Sequence, residues 1–358
     1  MKKLKICVYA ISKNEEKFVD RWYESIKEAD KIYVLDTGST DNTVNKLKKH
    51  NIIVETKKIV PWRFDEARNQ ALAMVDEDID ICISLDIDEV LLPGWREELE
   101  KNWEPNTTRI FYNYNWKLDE NDKPLVSFYI EKIHSRHGYK WTHPVHEILT
   151  YLNGTENKKT IPTITVNHYP DSSKSRGSYL PLLELSVKED PEDDRNMHYL
   201  GREYMYYKMY DKCIETLTKH LKLKKATWKD ERCASMRFIA RSYRELKKYP
   251  EAIEWYEKAI EEAPYLRDPY VELAILYYYL NDWNKVIYYS DLALKITNKS
   301  QSYINEVFSW NNTIYDIKSI AYYNMNNKEK ALENINIALQ YAPNDERLLN
   351  NKKIFEKM

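Results

Sequence analysis

Residues 1–90 alternate short apolar, β-branched runs with stretches of helical periodicity, and few folds accommodate that alternation. Lys5–Ile11, Lys31–Leu35, Ile52–Glu55 and Ile79–Leu85 read as buried strands. Between them, Glu16–Ile26 spaces Phe18, Trp22 and Ile26 at helical intervals. Thr43–Lys49 follows the cap candidates Ser39, Thr40 and Asp41. Asp65–Val75 turns Ala67, Ala71 and Met74 to one side. A βαβαβαβ order predicts an α/β fold on a doubly wound, mostly parallel sheet. Ligands of such sheets bind beyond the C-terminal ends of the strands. Those ends are Ala10–Glu15, Asp36–Asp41 and Asp86–Asp88, so three polar loops share one edge. Gly38, one of only 6 glycines, falls at a strand-to-helix turn.

Further along, Ile110–Trp116 and Leu125–Ile130 read as strands joined by a turn at Asp119–Lys123. Trp141–Leu149 and Thr163–His168 add extended segments, and residues 170–178 are turn-rich and polar. From about residue 180 the pattern becomes helical and repetitive. Ala240, Tyr243, Ala252, Tyr256, Ala259 and Pro264 set out small and aromatic positions. Ala274, Tyr277 and Ala293 repeat them at a period of about 34 residues. Tyr322, Ala331, Ala338 and Pro343 form a later copy, and Gly201, Tyr204 and Cys213 a weaker early one. These four copies resemble tetratricopeptide repeats, with Glu346–Lys357 as a capping helix. The expected division is an α/β domain over 1–172, a linker over 173–190 and an all-α solenoid over 191–358.

The formal net charge is -2 with 31% charged residues, which argues against a nucleic-acid partner, since such proteins carry a basic excess. The 4 cysteines are scattered without CxxC spacing, so they read as free thiols in a reducing compartment. The N-terminal apolar run meets charge too soon for a signal segment, and no window approaches the ~20 apolar residues of a membrane span. A soluble, cytoplasmic protein without an integral membrane segment is expected.

Asp86 and Asp88 follow the apolar run Ile81-Cys82-Ile83-Ser84-Leu85. In a regular strand they would face opposite ways, but beyond its end they can converge. Two such carboxylates can hold Mg²⁺ or Mn²⁺ against a diphosphate, because hard cations take oxygen ligands. A solvated turn is the bland alternative, and position after a fourth parallel strand weighs against it. Three ordered segments, Val8–Glu16, Ile32–Thr43 and Leu85–Glu89, resemble family-2 glycosyltransferases of GT-A fold. Phe64–Asn69 and Val145-His146-Glu147 resemble a branch that includes lipopolysaccharide-core glucosyltransferases and sublancin-type S-glycosyltransferases, the latter also with helical repeats.

That resemblance implies roles for particular residues. Ala10, Ile11, Asn14 and Glu15 would line the nucleobase and ribose, although Ala10-Ile11-Ser12 departs from the Thr or Pro of many relatives. Asp36 would accept a hydrogen bond from a uracil ring, and Ser39 and Arg68 would close the nucleotide pocket. Asp86 and Ile87 would stand on the nucleotide sugar, Asp86 at the ribose or the metal. Asp88 would ligate the metal, with His168 as a late third ligand; imidazole suits Mn²⁺ better than Mg²⁺. Glu147, paired with His146, is the candidate base, since inverting transfer needs a group to take the acceptor proton. Arg136 is a candidate for the diphosphate leaving group. Among Trp62, Trp95, Trp103, Trp116 and Trp141, one or two are expected at the acceptor and the rest in the core. The expected activity is metal-dependent, inverting transfer of a hexose from a UDP-sugar to a protein, peptide or glycan. The alternative is a repeat adaptor with an inactive glycosyltransferase-like domain. The repeats would bind the acceptor, a partner or a second copy of the chain.

Overall fold

The computed structural model describes residues 3–171, 177, 179–300 and 302–358, and the chain divides into two compact units, Met1–Ser186 and Val187–Met358. Most of the turn-rich stretch expected at 170–178 lies outside the described residues.

The first unit begins with β1 (Ile6–Ser12), α1 (Val19–Ile26), β2 (Lys31–Asp36), α2 (Thr43–Lys49), β3 (Ile53–Thr56), α3 (Phe64–Ala73) and β4 (Ile81–Ser84). It continues with β5 (Glu89–Leu91), α4 (Trp95–Asn102), β6 (Arg109–Leu118), β7 (Pro124–Ser135), β8 (Tyr139–Thr142), β9 (Ile148–Tyr151) and β10 (Lys158–His168), and α5 (Tyr179–Glu189) spans the division after Ser186. The main sheet runs β3-β2-β1-β4-β7-β6-β10-β5, and β8 pairs with β9 apart from it. The β3-β2-β1-β4 half is parallel, as the alternation predicts. The other half is mixed, because β7 runs antiparallel to both β4 and β6.

Strand periodicity builds two cores. Ile6, Val8 and Ala10 of β1 join Trp22 and Ile26 of α1 in one buried cluster. Cys7 and Tyr9 join Ala71 and Leu72 of α3 in another. A strand covered on both sides needs apolar residues at every position, which is why β1 reads as a continuous run. The short β5 and α4 escape sequence reading because Glu89-Val90-Leu91 is brief and α4 carries only Trp95 and Leu99 as apolar anchors among charges. Helix α5 occupies 179–189, part of the stretch expected as linker; its Leu182, Leu183 and Ser186 are buried.

The second unit contains α6 (Asp194–Tyr206), α7 (Tyr210–His220), α8 (Lys229–Glu245), α9 (Tyr249–Glu262), α10 (Asp268–Tyr279), α11 (Trp283–Leu294), α12 (Thr313–Asn324), α13 (Lys328–Tyr341) and α14 (Glu346–Glu356). Ala240, Ala252, Ala259, Ala274, Ala293, Ala331 and Ala338 are all fully buried, so the small residues of the repeat are where helices approach closely. Lys208, Lys247, Asn281 and Asn326 each adopt the left-handed conformation just after the first helix of a pair, which ends that helix and reverses the chain. Among the described residues, no helix is long and apolar enough to cross a membrane.

Candidate active site

The loops after β1, β2 and β4 leave adjacent parallel strands at the same sheet edge. The first two are tied together. Asn14, itself left-handed at φ 55, donates its N–H to Ser39 Oγ at 2.8 Å and accepts Thr40 N–H at 2.8 Å. Glu15 N–H reaches Thr43 Oγ1 at 2.7 Å. Ala10 is buried in the core cluster, so only its backbone can meet a ligand, and Ile11 packs beside the second core.

Asp36 is fully buried and organises the second loop. Its Oδ1 accepts the N–H of Gly38 at 3.0 Å and of Ser39 at 2.9 Å; its Oδ2 accepts the hydroxyls of Ser12 and Ser39. Gly38, at φ 110, supplies the backbone turn that lets both amides point at one carboxylate. A carboxylate offers about four acceptor positions. In this arrangement Ser12 of β1 and the loop's Gly38 and Ser39 fill them, which separates Asp36 from the base contact expected of it.

Beyond β4 the two aspartates diverge. Asp86 Oδ1 meets Arg68 Nη1 at 2.8 Å, and its Oδ2 meets Arg68 Nη2 at 3.1 Å and Lys132 Nζ at 2.9 Å. Arg68, almost wholly buried on α3, also ion-pairs with Glu147 through Nε, and its guanidinium lies 5.0 Å from the Trp141 ring centroid. Burial alone would raise the Asp86 carboxyl, but Arg68 and then Lys132 outweigh it and hold it well below the usual range. Burial likewise opposes the charge on Lys132, and Asp86 and Glu89 overcome it and raise its ammonium. Arg68, Asp86 and Glu147, predicted from separate segments, thus meet in one cluster.

Asp88 faces a different partner. Its Oδ2 lies 3.6 Å from His168 Nε2, while His168 Nδ1 meets the Trp116 carbonyl at 3.2 Å. Trp116, 49% exposed, stacks on the His168 ring with centroids 4.6 Å apart. Burial disfavours the imidazolium, yet Asp88 overrides that and raises the His168 pKa. Donation from Nδ1 to a carbonyl turns the Nε2 lone pair toward Asp88, the arrangement by which proteins orient a metal-binding imidazole. Asp88 and His168 fit a divalent cation; Asp86, with both oxygens on cations, does not converge with them.

Two further expectations need correction. Ile87 is 2% exposed and belongs to the core cluster, so its side chain does not line a nucleotide site. Arg136 follows β7 at the end beside Ile81, where β4 begins, and is therefore at the opposite sheet edge. Its guanidinium is spent on the Val75 and Asp76 carbonyls and on Glu77, capping the chain after α3. Trp95 and Trp141 are core residues at 1% and 2% exposure, in line with the expectation that most of the tryptophans pack inside, and Trp116 stacks on His168 beside the site. His146 sits next to Glu147 in a turn, at φ 52, with its ring 5.7 Å from that of Tyr179.

Lys132 and Glu89 join the site without a sequence expectation. Glu89 directly follows the aspartate pair, and its buried Oε2 accepts the Asp86 N–H at 2.9 Å while Oε1 accepts the Tyr114 hydroxyl at 2.8 Å. Adjacency to Asp88 was the available signal. Lys132 resembles a surface charge in a strand, and only its place two residues before the buried His134 marks its face.

A parallel sheet extended by a mixed half, with polar loops and an aspartate pair at its C-terminal edge, defines a GT-A-type domain. Residues 7–152 match Glycosyl transferase family 2 and residues 234–266 match the Tetratricopeptide repeat. The chain therefore carries a family-2 glycosyltransferase domain followed by tetratricopeptide repeats. No curated protein matches it. Among solved structures it is similar to the APC/C hetero-tetramer Cut9-Hcn1, at 16% identity over 51% of this chain and 33% of that one, TM-score 0.41. It spans only that third of the Cut9-Hcn1 chain. It is similar to Pseudomonas aeruginosa pilF at 14% identity over 49% of this chain and 72% of that one, TM-score 0.38. For a thermophilic TPR protein of Thermus thermophilus, the identity is 17% over 51% of this chain and 91% of that one, TM-score 0.35.

Proposed function

We propose that the protein is a metal-dependent, inverting hexosyltransferase that takes its sugar from a UDP-sugar such as UDP-glucose and gives it to a protein, peptide or glycan acceptor. The observation that carries this reading is the Asp88–His168 pair at the C-terminal edge of the parallel sheet, with Nε2 and Oδ2 3.6 Å apart. Asp88 and His168 would hold Mn²⁺ or Mg²⁺, which supplies charge neutralisation to a departing diphosphate. Asn14, Glu15 and Ser39 frame the nucleotide through their loop backbones. Asp86 fixes Arg68 and Lys132, whose positive charge lies at the same edge. Trp116 offers an exposed aromatic face for a sugar ring. Glu147 accepts the acceptor proton as the acceptor oxygen or sulfur bonds to the anomeric carbon and the bond to the nucleoside diphosphate breaks. His146 orders that turn.

The repeats recruit the acceptor in this reading, as tetratricopeptide stacks present concave surfaces. The test is UDP release with Mn²⁺ across a panel of sugar donors, with intact-mass analysis of candidate acceptors. Asp88→Ala abolishes metal-dependent release if the reading is right. If no nucleotide sugar binds or turns over, or if Asp88→Ala leaves release unchanged, the adaptor reading replaces it.

A further inference from the structure

A second cluster of ligand-type side chains lies within the helical unit, remote in sequence from the glycosyltransferase motifs. Asp194 opens α6, His220 closes α7 and Glu231 stands in the first turn of α8. Their ligand atoms all lie within 4.8 Å of one another. Among the described residues, this is where three acidic or imidazole groups come close enough to share an ion.

His220 is fully buried, and its Nε2 has no hydrogen-bond partner. It points at Glu231 Oε1, 3.5 Å away, too far and too poorly aligned to bond. Leaving a buried imidazole nitrogen unbonded costs about 1–3 kcal/mol. The 3.5 Å gap does match another geometry, because ligand atoms ~2.1 Å from a tetrahedral ion stand about 3.4 Å apart.

The surroundings hold these groups in place. His220 Nδ1 lies 3.0 Å from Ser235 Oγ, which lies 2.7 Å from His198 Nδ1. A serine has one proton, so it serves one imidazole and accepts from the other. Donation from His220 Nδ1 to Ser235, and from Ser235 to His198, leaves the His220 Nε2 lone pair toward Glu231. Glu231 is equally constrained, since the Tyr303 hydroxyl donates to its Oε2 and leaves Oε1 on the cluster side. His198 is fully buried and its Nδ1 lies within hydrogen-bond reach of Ser235, so it can accept as this chain requires.

We propose that Asp194, His220 and Glu231 form a second metal site, for a first-row divalent cation such as Zn²⁺, that staples the ends of α6, α7 and α8. Two carboxylates with one imidazole select this class over Mg²⁺ or Ca²⁺, which favour all-oxygen shells. The bound ion satisfies the buried nitrogen and neutralises two carboxylates.

The test uses the full chain carrying Asp88→Asn, without nucleotide, so that an ion at the donor site does not contribute. Zn²⁺ and Co²⁺ are titrated in competition with a chromogenic chelator. One ion per chain is expected, with a raised melting temperature and little competition from Mg²⁺. His220→Gln and Glu231→Gln each weaken binding by more than about 100-fold, because losing even a supporting partner of a ligand costs about 10–100-fold. Circular dichroism establishes that each variant is folded. If His220→Gln does not fold, the near-isosteric Asp194→Asn and Glu231→Gln decide. No bound ion, or unchanged affinity in the folded variants, overturns the proposal and leaves the glycosyltransferase reading untouched.

Discussion

His134 ties the stability of the glycosyltransferase unit to pH. It is fully buried, its Nδ1 meets the Ser135 carbonyl at 2.7 Å, and its Nε2 lies 2.9 Å from the Tyr9 hydroxyl. A carbonyl only accepts, so Nδ1 carries the proton and Nε2 accepts from Tyr9. Burial pushes the pKa down to about 3, with Arg109 and Arg136 adding to the effect. The unfolded chain, with a value of about 6.5, binds this proton first. The stabilisation is therefore complete above about pH 6.5 and is lost as pH falls toward 3, at about 1.4 kcal/mol per unit. His134→Gln keeps a polar group but disturbs the Tyr9 bond, which costs about 1–3 kcal/mol at pH 7.5. Glutamine does not titrate, so the variant escapes the acid penalty. At pH 4.5 the wild type has given up about 2.7 kcal/mol that the variant keeps, and the two stabilities meet or cross. Native-state hydrogen exchange of peptides spanning β1 and β4 reads this unit apart from the repeats. A deficit of the same size at pH 7.5 and pH 4.5 would refute a neutral, proton-excluding His134.

Lys132→Met removes a cation shared by Asp86 and Glu89 and destabilises the first unit by about 3–5 kcal/mol, measured by the same exchange experiment. In the helical unit, Glu272 is 3% exposed and holds both Arg237 and Arg241. Glu272→Gln leaves two buried guanidinium groups short of charge and costs about 3–5 kcal/mol, read from urea unfolding of the repeats. Gly201 faces Leu217 so closely that an added Cβ would sit 2.3 Å from Leu217 Cδ2, and Leu217 is itself fully buried. Gly201→Ala therefore lowers repeat stability by about 1–3 kcal/mol, where a helix-propensity argument alone predicts a gain.

The elements that sequence disclosed are those whose own residues specify them. β1 is apolar from Ile6 to Ile11 because both its faces are covered, and α2 has the boundaries that its periodicity indicates, although Asn42 and not Ser39, Thr40 or Asp41 stands at its cap. The repeats were legible because close helix approach demands alanine at fixed intervals, and Ala252, Ala259, Ala331 and Ala338 are fully buried there. What stayed hidden depends on chain direction and on partners distant in sequence. Nothing within β7 says that it runs antiparallel to β4, yet that reversal decides the placement of two basic residues. It puts Lys132 beside Asp86 and sends Arg136 to the other edge. From sequence the two were interchangeable.

The aspartate pair shows the same dependence at closer range. Asp86 and Asp88 look equivalent in a motif, and each was a candidate ligand. Their partners separate them, since the two side chains are about equally exposed, at 27% and 23%. Arg68 and Lys132 take the oxygens of Asp86. Glu147 and Glu89 complete that cluster and leave it with nearly balanced charge. Asp88, just beyond it, has His168 opposite and keeps the capacity to bind. The two positions should then fail differently. Asp88→Asn loses metal affinity with the fold intact, whereas Asp86→Asn leaves Arg68 with Glu147 alone and Lys132 with Glu89 alone and lowers the stability of the first unit by about 3–5 kcal/mol. Metal titration and hydrogen exchange on both variants separate these outcomes. Equal loss of metal affinity with equal stability would return Asp86 to the role of ligand.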